Sequence, residues 1–180
     1  MAEKRWLCLA VAVGLMLGAH PTSRPAVESR ILENKVPAHI PIKIRIKPEK
    51  EETFKDLKNE KWLREFELEV TNTGEKPIYF LSIHMGTNVK PDGGPEIVYP
   101  LWYGRPELGD IVTKAASDDV PIKPGEFVYL SVGSAPLWES AVREGRWPET
   151  TKFTADFQQL SFGDGTGYFA ASLYPPLRRK

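Results

Sequence analysis

Apolar and polar residues alternate along much of this chain with a period of two. That period marks strands with one buried and one wet face. Phe66, Leu68 and Val70 alternate with Glu67, Glu69 and Thr71. Asn72-Thr73-Gly74-Glu75-Lys76-Pro77 then supplies turn chemistry, with Gly74 able to take positive φ and Pro77 fixing the exit. Ile78-Tyr79-Phe80-Leu81 is apolar on both faces and predicts a central strand. Together the two runs predict a hairpin from Phe66 to Leu81 that organises the fold.

The cleanest alternation lies earlier. Ile40, Ile42, Ile44 and Ile46 interleave with Pro41, Lys43, Arg45 and Lys47. Pro41 cannot donate to a ladder, so the strand is expected at an edge or to begin near Ile42. Outward Lys43, Arg45 and Lys47 would discourage edge-to-edge pairing, and a basic binding face is the functional alternative. From Pro48 to Lys61 acids come first and lysines last, which predicts a short helix with Phe54 and Leu57 on one face, followed by Trp62. Ser82 to Met85 continues the second strand of the hairpin. Gly86 to Pro95 predicts a loop, and Pro100 interrupts an edge strand over Ile97–Tyr103. Gly104 to Gly109 is rich in turn formers, and Ile111-Val112-Thr113 predicts a short strand. Pro124-Gly125 predicts a turn into a strand at Phe127–Val132. Leu137, Trp138, Ala141 and Val142 predict one face of a helix that starts at Ser134 and stops at Gly145. In Thr151–Phe162, Phe153, Ala155 and Phe157 share one parity, while Leu160 and Phe162 take the other. A bulge near Gln158-Gln159 accounts for the switch. Gly163-Asp164-Gly165-Thr166-Gly167 predicts a tight connection to Tyr168-Phe169.

These elements point to an all-β fold: an antiparallel immunoglobulin-like β-sandwich of about seven strands with one or two short helices. The expected core comprises Ile42, Ile44, Phe66, Leu68, Val70, Ile78, Phe80, Phe127 and Phe157. The chain has 180 residues with 16 prolines and 14 glycines clustered between apolar runs, which suits one domain of many short strands.

The N-terminus changes the picture. Lys4 and Arg5 precede an apolar run from Trp6 to Leu17, then Gly18-Ala19-His20-Pro21. The run is shorter than the roughly 20 apolar residues of a membrane span, so residues 1–19 read as a signal peptide, with an uncleaved anchor as the alternative. Export to the periplasm or outside the cell follows. Residues 20–38 are polar and without sustained periodicity, and they read as a flexible leader, with a short helix over Ser29–Lys35 as the alternative. The domain is expected over 39–173, with a disordered tail at 174–180. Cys8 is the single cysteine and lies inside the signal, so a thiol nucleophile, a cysteine zinc site and a disulfide are all excluded from the mature chain. Loss of Glu3, Lys4 and Arg5 leaves the 24 basic and 24 acidic residues one base short of balance. No net field attracts nucleic acid or anionic lipid, and no membrane span is expected after signal removal.

Glu69-Val70-Thr71-Asn72-Thr73-Gly74 and Ile122-Lys123-Pro124-Gly125-Glu126 carry a resemblance. Their layout of strand, Asn-x-Gly, strand, then x-Pro-Gly-Glu and strand resembles bacterial extracellular immunoglobulin-like domains of the cell-adhesion-related type, over residues 60–135. Tyr103–Asp110 and Phe162–Gly167 are similar to segments of a group of exported bacterial proteins. The resemblance implies an exported β-sandwich and brings no catalytic set. Phe162–Thr166 also resembles a segment of the polycystic-kidney-disease repeat, without the tryptophan that usually precedes it.

Candidate chemistry is sparse. His20, His39 and His84 show no metal-binding spacing, and a site joining His39 to His84 has no supporting motif. There is no Gly-x-Ser-x-Gly elbow and no phosphate-binding loop. Asp110, Asp118, Asp119 and Asp164 lie in loops where calcium ligands could converge, though none forms a calcium-loop motif. Trp102, Tyr103, Trp138, Trp147 and Tyr168 could form an aromatic platform for a glycan or could belong to the core. No catalytic, cofactor or metal residue is assigned. The expectation is an exported non-enzymatic domain that contacts a protein or a cell-surface component. A carbohydrate-binding module and a small hydrolase with an unrecognised site are the alternatives.

Overall fold

The computed structural model describes residues 29–133 and 135–174. The expected signal peptide, the start of the leader, Ser134 and residues 175–180 lie outside the described residues. The fold is mostly β, with nine described strands in two sheets. Six belong to a large sheet: β1 (Ile31–Asn34), β4 (Phe80–Gly86), β5 (Val98–Tyr103), β7 (Lys152–Ser161), β8 (Gly167–Phe169) and β9 (Ser172–Tyr174). Three form a small sheet in the order β2-β3-β6: β2 (Ile42–Ile46), β3 (Glu67–Asn72) and β6 (Phe127–Ser131). Three short helices join them: α1 (Pro48–Lys55), α2 (Trp62–Glu65) and α3 (Ala135–Arg143).

Alternation places the core as expected for most residues. Ile42, Ile44, Leu68, Val70 and Leu130 point inward from the small sheet. Leu81, Ile83, Met85, Tyr99, Leu101, Phe153, Ala155, Phe157 and Leu160 come from the large one and join the same cluster. β2 is an edge strand that begins at Ile42, next to Pro41. The bulge in β7 is present: Ser82 pairs with Gln159 and Ile83 with Phe157, leaving Gln158 extra. Phe157 and Leu160 therefore both face the core although their spacing is odd.

Other expectations are corrected. Phe66–Leu81 is not a hairpin. β3 belongs to the small sheet and β4 to the large one, and Thr73–Tyr79 crosses between them. The cause is local. The Asn72 amide donates to the carbonyls of Lys76 and Ile122, each at 2.8 Å, and its Oδ1 accepts the Gly74 N–H at 2.9 Å. Ile78 then pairs with Ile122 rather than with β3. The connection easily covers the ~10 Å between stacked sheets.

The leader reading fails over its described part. Ile31–Asn34 pairs in parallel with Lys152–Ala155 of β7, so the large sheet is mixed rather than antiparallel. Ser29–Lys35 is not helical. Tyr174, assigned to the tail, lies in β9. Ile111-Val112-Thr113 is not a strand. Ile111 takes φ 68, costly for a β-branched residue, and is held there by burial. It is buried against Gly167 of β8, and the same turn lays Gly109 against the Phe80 ring. Phe80 is thus buried on the face opposite Leu81, outside the main core cluster. Trp62 does not lead directly into a strand but opens α2, packed on Phe54 and Phe153. In α3, Ala135, Trp138 and Ala141 are buried while Leu137 is exposed. Gly145, at φ 68, ends the helix: its N–H reaches the Val142 carbonyl and that of Arg146 reaches Ala141.

Candidate interaction surface

The face of the small sheet turned away from the core is built by strand register alone. Inward Ile42, Ile44, Leu68, Val70 and Leu130 force their neighbours outward. Lys43, Thr71 and Phe127 form one cross-strand row, and Arg45, Glu69 and Tyr129 form the next. Lys47, Glu67 and Ser131 complete a third.

The basic residues on this face are neutralised within it. Arg45 clasps Glu69 with two bonds, Nε to Oε1 at 2.7 Å and Nη2 to Oε2 at 3.1 Å. Glu69 is only 6% exposed, and this fork supplies the donors its buried carboxylate needs. Lys47 bonds Glu67 at 2.8 Å and sits 4.3 Å from the centre of the Tyr129 ring. Hydrogen bonding to these acids lifts both Arg45 and Lys47 above their ordinary pKa values. The basic-face alternative is thereby reduced to Lys43.

What the face exposes is aromatic. Phe127 is 53% and Tyr129 40% exposed, and their rings meet edge to face at 5.4 Å. Phe127, expected in the core, is on the surface. The sequence did carry the signal. Val128, Leu130 and Val132 share one parity, while Phe127 and Tyr129 share theirs with Ser131, and a serine belongs to the wet face. β6 is also an edge strand, with no proline or charge between Phe127 and Ser131. β2, the opposite edge, carries Lys43 and Arg45.

The other candidates are dispersed. His39 Nε2 lies 2.6 Å from the Ala171 carbonyl. His84, expected near a strand end, is inside β4, opposite Pro100 on one side and Asp156 on the other. Burial lowers its pKa, and Asp156 opposes that. Asp110 is spent on Thr113, Asp119 on Arg105 and the Ala116 N–H, and Asp164 on Lys76 and Thr166. Among the described residues no cluster of three His, Cys, Asp or Glu side chains could hold a metal ion. No serine or threonine hydroxyl among them is bonded to a histidine, and no helix among them is long and apolar enough to cross a membrane.

The five aromatics considered as a platform do not form one. Trp138 is 3% exposed and packs between Tyr99 and Trp147. The Tyr103 hydroxyl donates to the Val120 carbonyl, and Tyr168 packs edge to face on Phe162. Trp102 alone of the five is open to solvent, on edge strand β5. No protein family, curated protein or solved structure matches the chain.

Proposed function

We propose that this chain is an exported, non-enzymatic domain of immunoglobulin-like β-sandwich plan that docks on another protein through the outer face of β2-β3-β6. The single observation that carries the reading is the exposed Phe127–Tyr129 pair on an unguarded edge strand. Aromatic residues amid neutralised charge match the anchors at which binding energy concentrates in protein interfaces. The two rings meet at 63°, so they offer no flat surface on which a sugar ring could stack. That geometry favours a protein over a glycan. A shared core between two sheets supports the sandwich plan. The apolar run after Lys4-Arg5 supports export.

A photo-crosslinking side chain at Ser131, exposed beside Tyr129, tests this in the cell envelope of the native host. The expected result is a discrete adduct with one protein. Excess parent domain displaces it, and excess Phe127→Ala/Tyr129→Ala domain does not. No adduct, or displacement by the variant as efficient as by the parent, overturns the proposal. Glycan binding that depends on Trp102 and not on Phe127 would replace it with the carbohydrate reading.

A further inference from the structure

We infer that the free edge of β6 pairs with the same edge of a second copy of this chain, joining the two small sheets across a two-fold axis. The inference concerns the backbone groups of β6, whereas the docking reading concerns the side chains on its outer face.

Register decides which backbone groups are free. The Asn72 N–H bonds the Glu126 carbonyl and the Gly125 N–H bonds the Asn72 carbonyl, so Asn72 turns its backbone groups toward β6. The Lys47 N–H bonds the Glu67 carbonyl, so Glu67 turns its own toward β2. Backbone direction alternates along an antiparallel strand. Leu68 and Val70 therefore bond Leu130 and Val128, the residues that face them on β6. Phe127, Tyr129 and Ser131 are left with N–H and C=O directed away from β3, and among the described residues these groups take no other backbone partner. All three residues are exposed. Two other edges are blunted: Pro100 lacks a donor in β5, and Lys43 and Arg45 line β2. β6 carries neither device.

The edge is its own complement. In an antiparallel pairing centred on Tyr129, that residue faces Tyr129 of the second copy, and Phe127 faces Ser131 of the second copy. Every outward residue then meets an outward residue, and each facing pair exchanges both N–H···O=C bonds. Two aromatic rings meet at the centre, and large meets small on either side. No charge opposes the contact. β6 has none, Glu67 and Glu69 already hold Lys47 and Arg45, and the near balance of acids and bases leaves little long-range repulsion. The assembly also closes. Doubling the order β2-β3-β6 about the axis puts the guarded strand β2 at both ends of the joined sheet. The rings of both copies stay on the outer face, where the axis gathers them into one patch.

Sedimentation equilibrium and amide hydrogen exchange of the exported chain test this between about 10 µM and 1 mM. Two short strands make a contact smaller than the ~800 Å² a side of a standard stable interface, so a dissociation constant of about 10–500 µM is expected. The amides of Phe127, Tyr129 and Ser131 should exchange at least twofold more slowly at the higher concentration, while those of Val128 and Leu130 are protected at both. Ser131→Pro removes one outward N–H and leaves the ladder to β3 intact. It should weaken association at least tenfold, and Ser131→Ala should not. Tyr129→Lys, which guards this edge as β2 is guarded, should weaken it likewise and serves if the proline variant does not fold. A chain that stays monomeric at about 1 mM overturns the inference. So does concentration-independent exchange of the three amides, or a Ser131→Pro or Tyr129→Lys variant that folds and associates as the parent does. Protection of the three amides only when a different protein is added would assign the edge to a foreign strand, and it too overturns the second copy. A monomer would still present Phe127 and Tyr129, so failure here leaves the docking reading standing.

Discussion

Replacing Asn72 should unlock the crossing between the two sheets. Asn72 is 0% exposed. Its amide donates to Lys76 and Ile122, and its Oδ1 accepts from Gly74. Its backbone N–H and carbonyl bond Glu126 and Gly125, and substitution leaves those two in place. In Asn72→Ala three side-chain bonds vanish. The Ile122 carbonyl keeps the Ile78 N–H, while the Lys76 carbonyl and Gly74 N–H lose these partners. At roughly 1 kcal/mol net per bond, plus the penalty for groups left dry, the loss is about 3–4 kcal/mol. Asn72→Asp keeps the shape but turns an acceptor toward two carbonyl oxygens. The buried carboxylate has no donor from them, so at pH 7 the cost is about 3–5 kcal/mol, at least that of alanine. The sign of its pH dependence follows. The environment raises the folded pKa of this new aspartate above the roughly 3.9 of the unfolded chain. The penalty is full above the folded pKa and shrinks as pH falls from there toward about 4, because the protonated acid can donate one bond. Urea unfolding followed by tryptophan fluorescence at neutral and mildly acidic pH measures both, provided the slope against urea is unchanged. A loss below about 1 kcal/mol for Asn72→Ala, or an Asn72→Asp deficit that does not narrow on acidification, would refute the argument.

Arg30→Ala should cost about 3–5 kcal/mol, because it takes their donor from the carbonyls of Phe54, Asp56 and Leu57; Glu149→Ala leaves the buried guanidinium without its carboxylate but with those carbonyls, so it should cost less, about 1–3 kcal/mol, and a loss under about 1 kcal/mol for Arg30→Ala in urea unfolding would contradict the assignment. Deleting residues up to Val36 removes β1 with Arg30 and should lower the melting temperature markedly, whereas a flexible leader would leave it unchanged. Gly165→Val forces a β-branched residue to φ 87 and should cost about 1–3 kcal/mol by strain alone, since a Cβ there meets little; Gly163→Ala should cost more, because its Cβ would press on Ala115 and Tyr79, and the reverse order in chemical denaturation would be inconsistent with this turn. Hydrogen bonds from Arg105 and the Ala116 N–H hold Asp119 below its ordinary pKa, so its stabilisation is present above about pH 4 and is lost as pH falls; Asp119→Asn should flatten that acid limb, read from melting temperature against pH.

The order of elements could be read from local rules because their causes are local. Alternation buried Ile42 and Ile44, Pro41 set the start of β2, and Pro124-Gly125 turned the chain with Gly125 at φ 81. Gly145 stopped α3, and the parity switch between Phe157 and Leu160 announced the bulge. Phe127 could have been read correctly too, from Ser131 on its own parity.

Partnership was a different matter. A period of two says which face a strand buries and nothing about its neighbour. Hairpin and crossing give Phe66–Leu81 the same alternation, and the choice fell to Asn72, whose bonds reach Ile122 fifty residues on. Ile31–Asn34 has too little amphipathic pattern to declare itself, and it became a strand because the free edge of β7 satisfied its backbone. Arg30 looked like one more leader cation until the end of α1 and the turn after it offered it the carbonyls of Phe54, Asp56 and Leu57. The exposed aromatic face shares that origin. It joins residues of β2, β3 and β6, far apart in the chain, so only sheet pairing could bring them together.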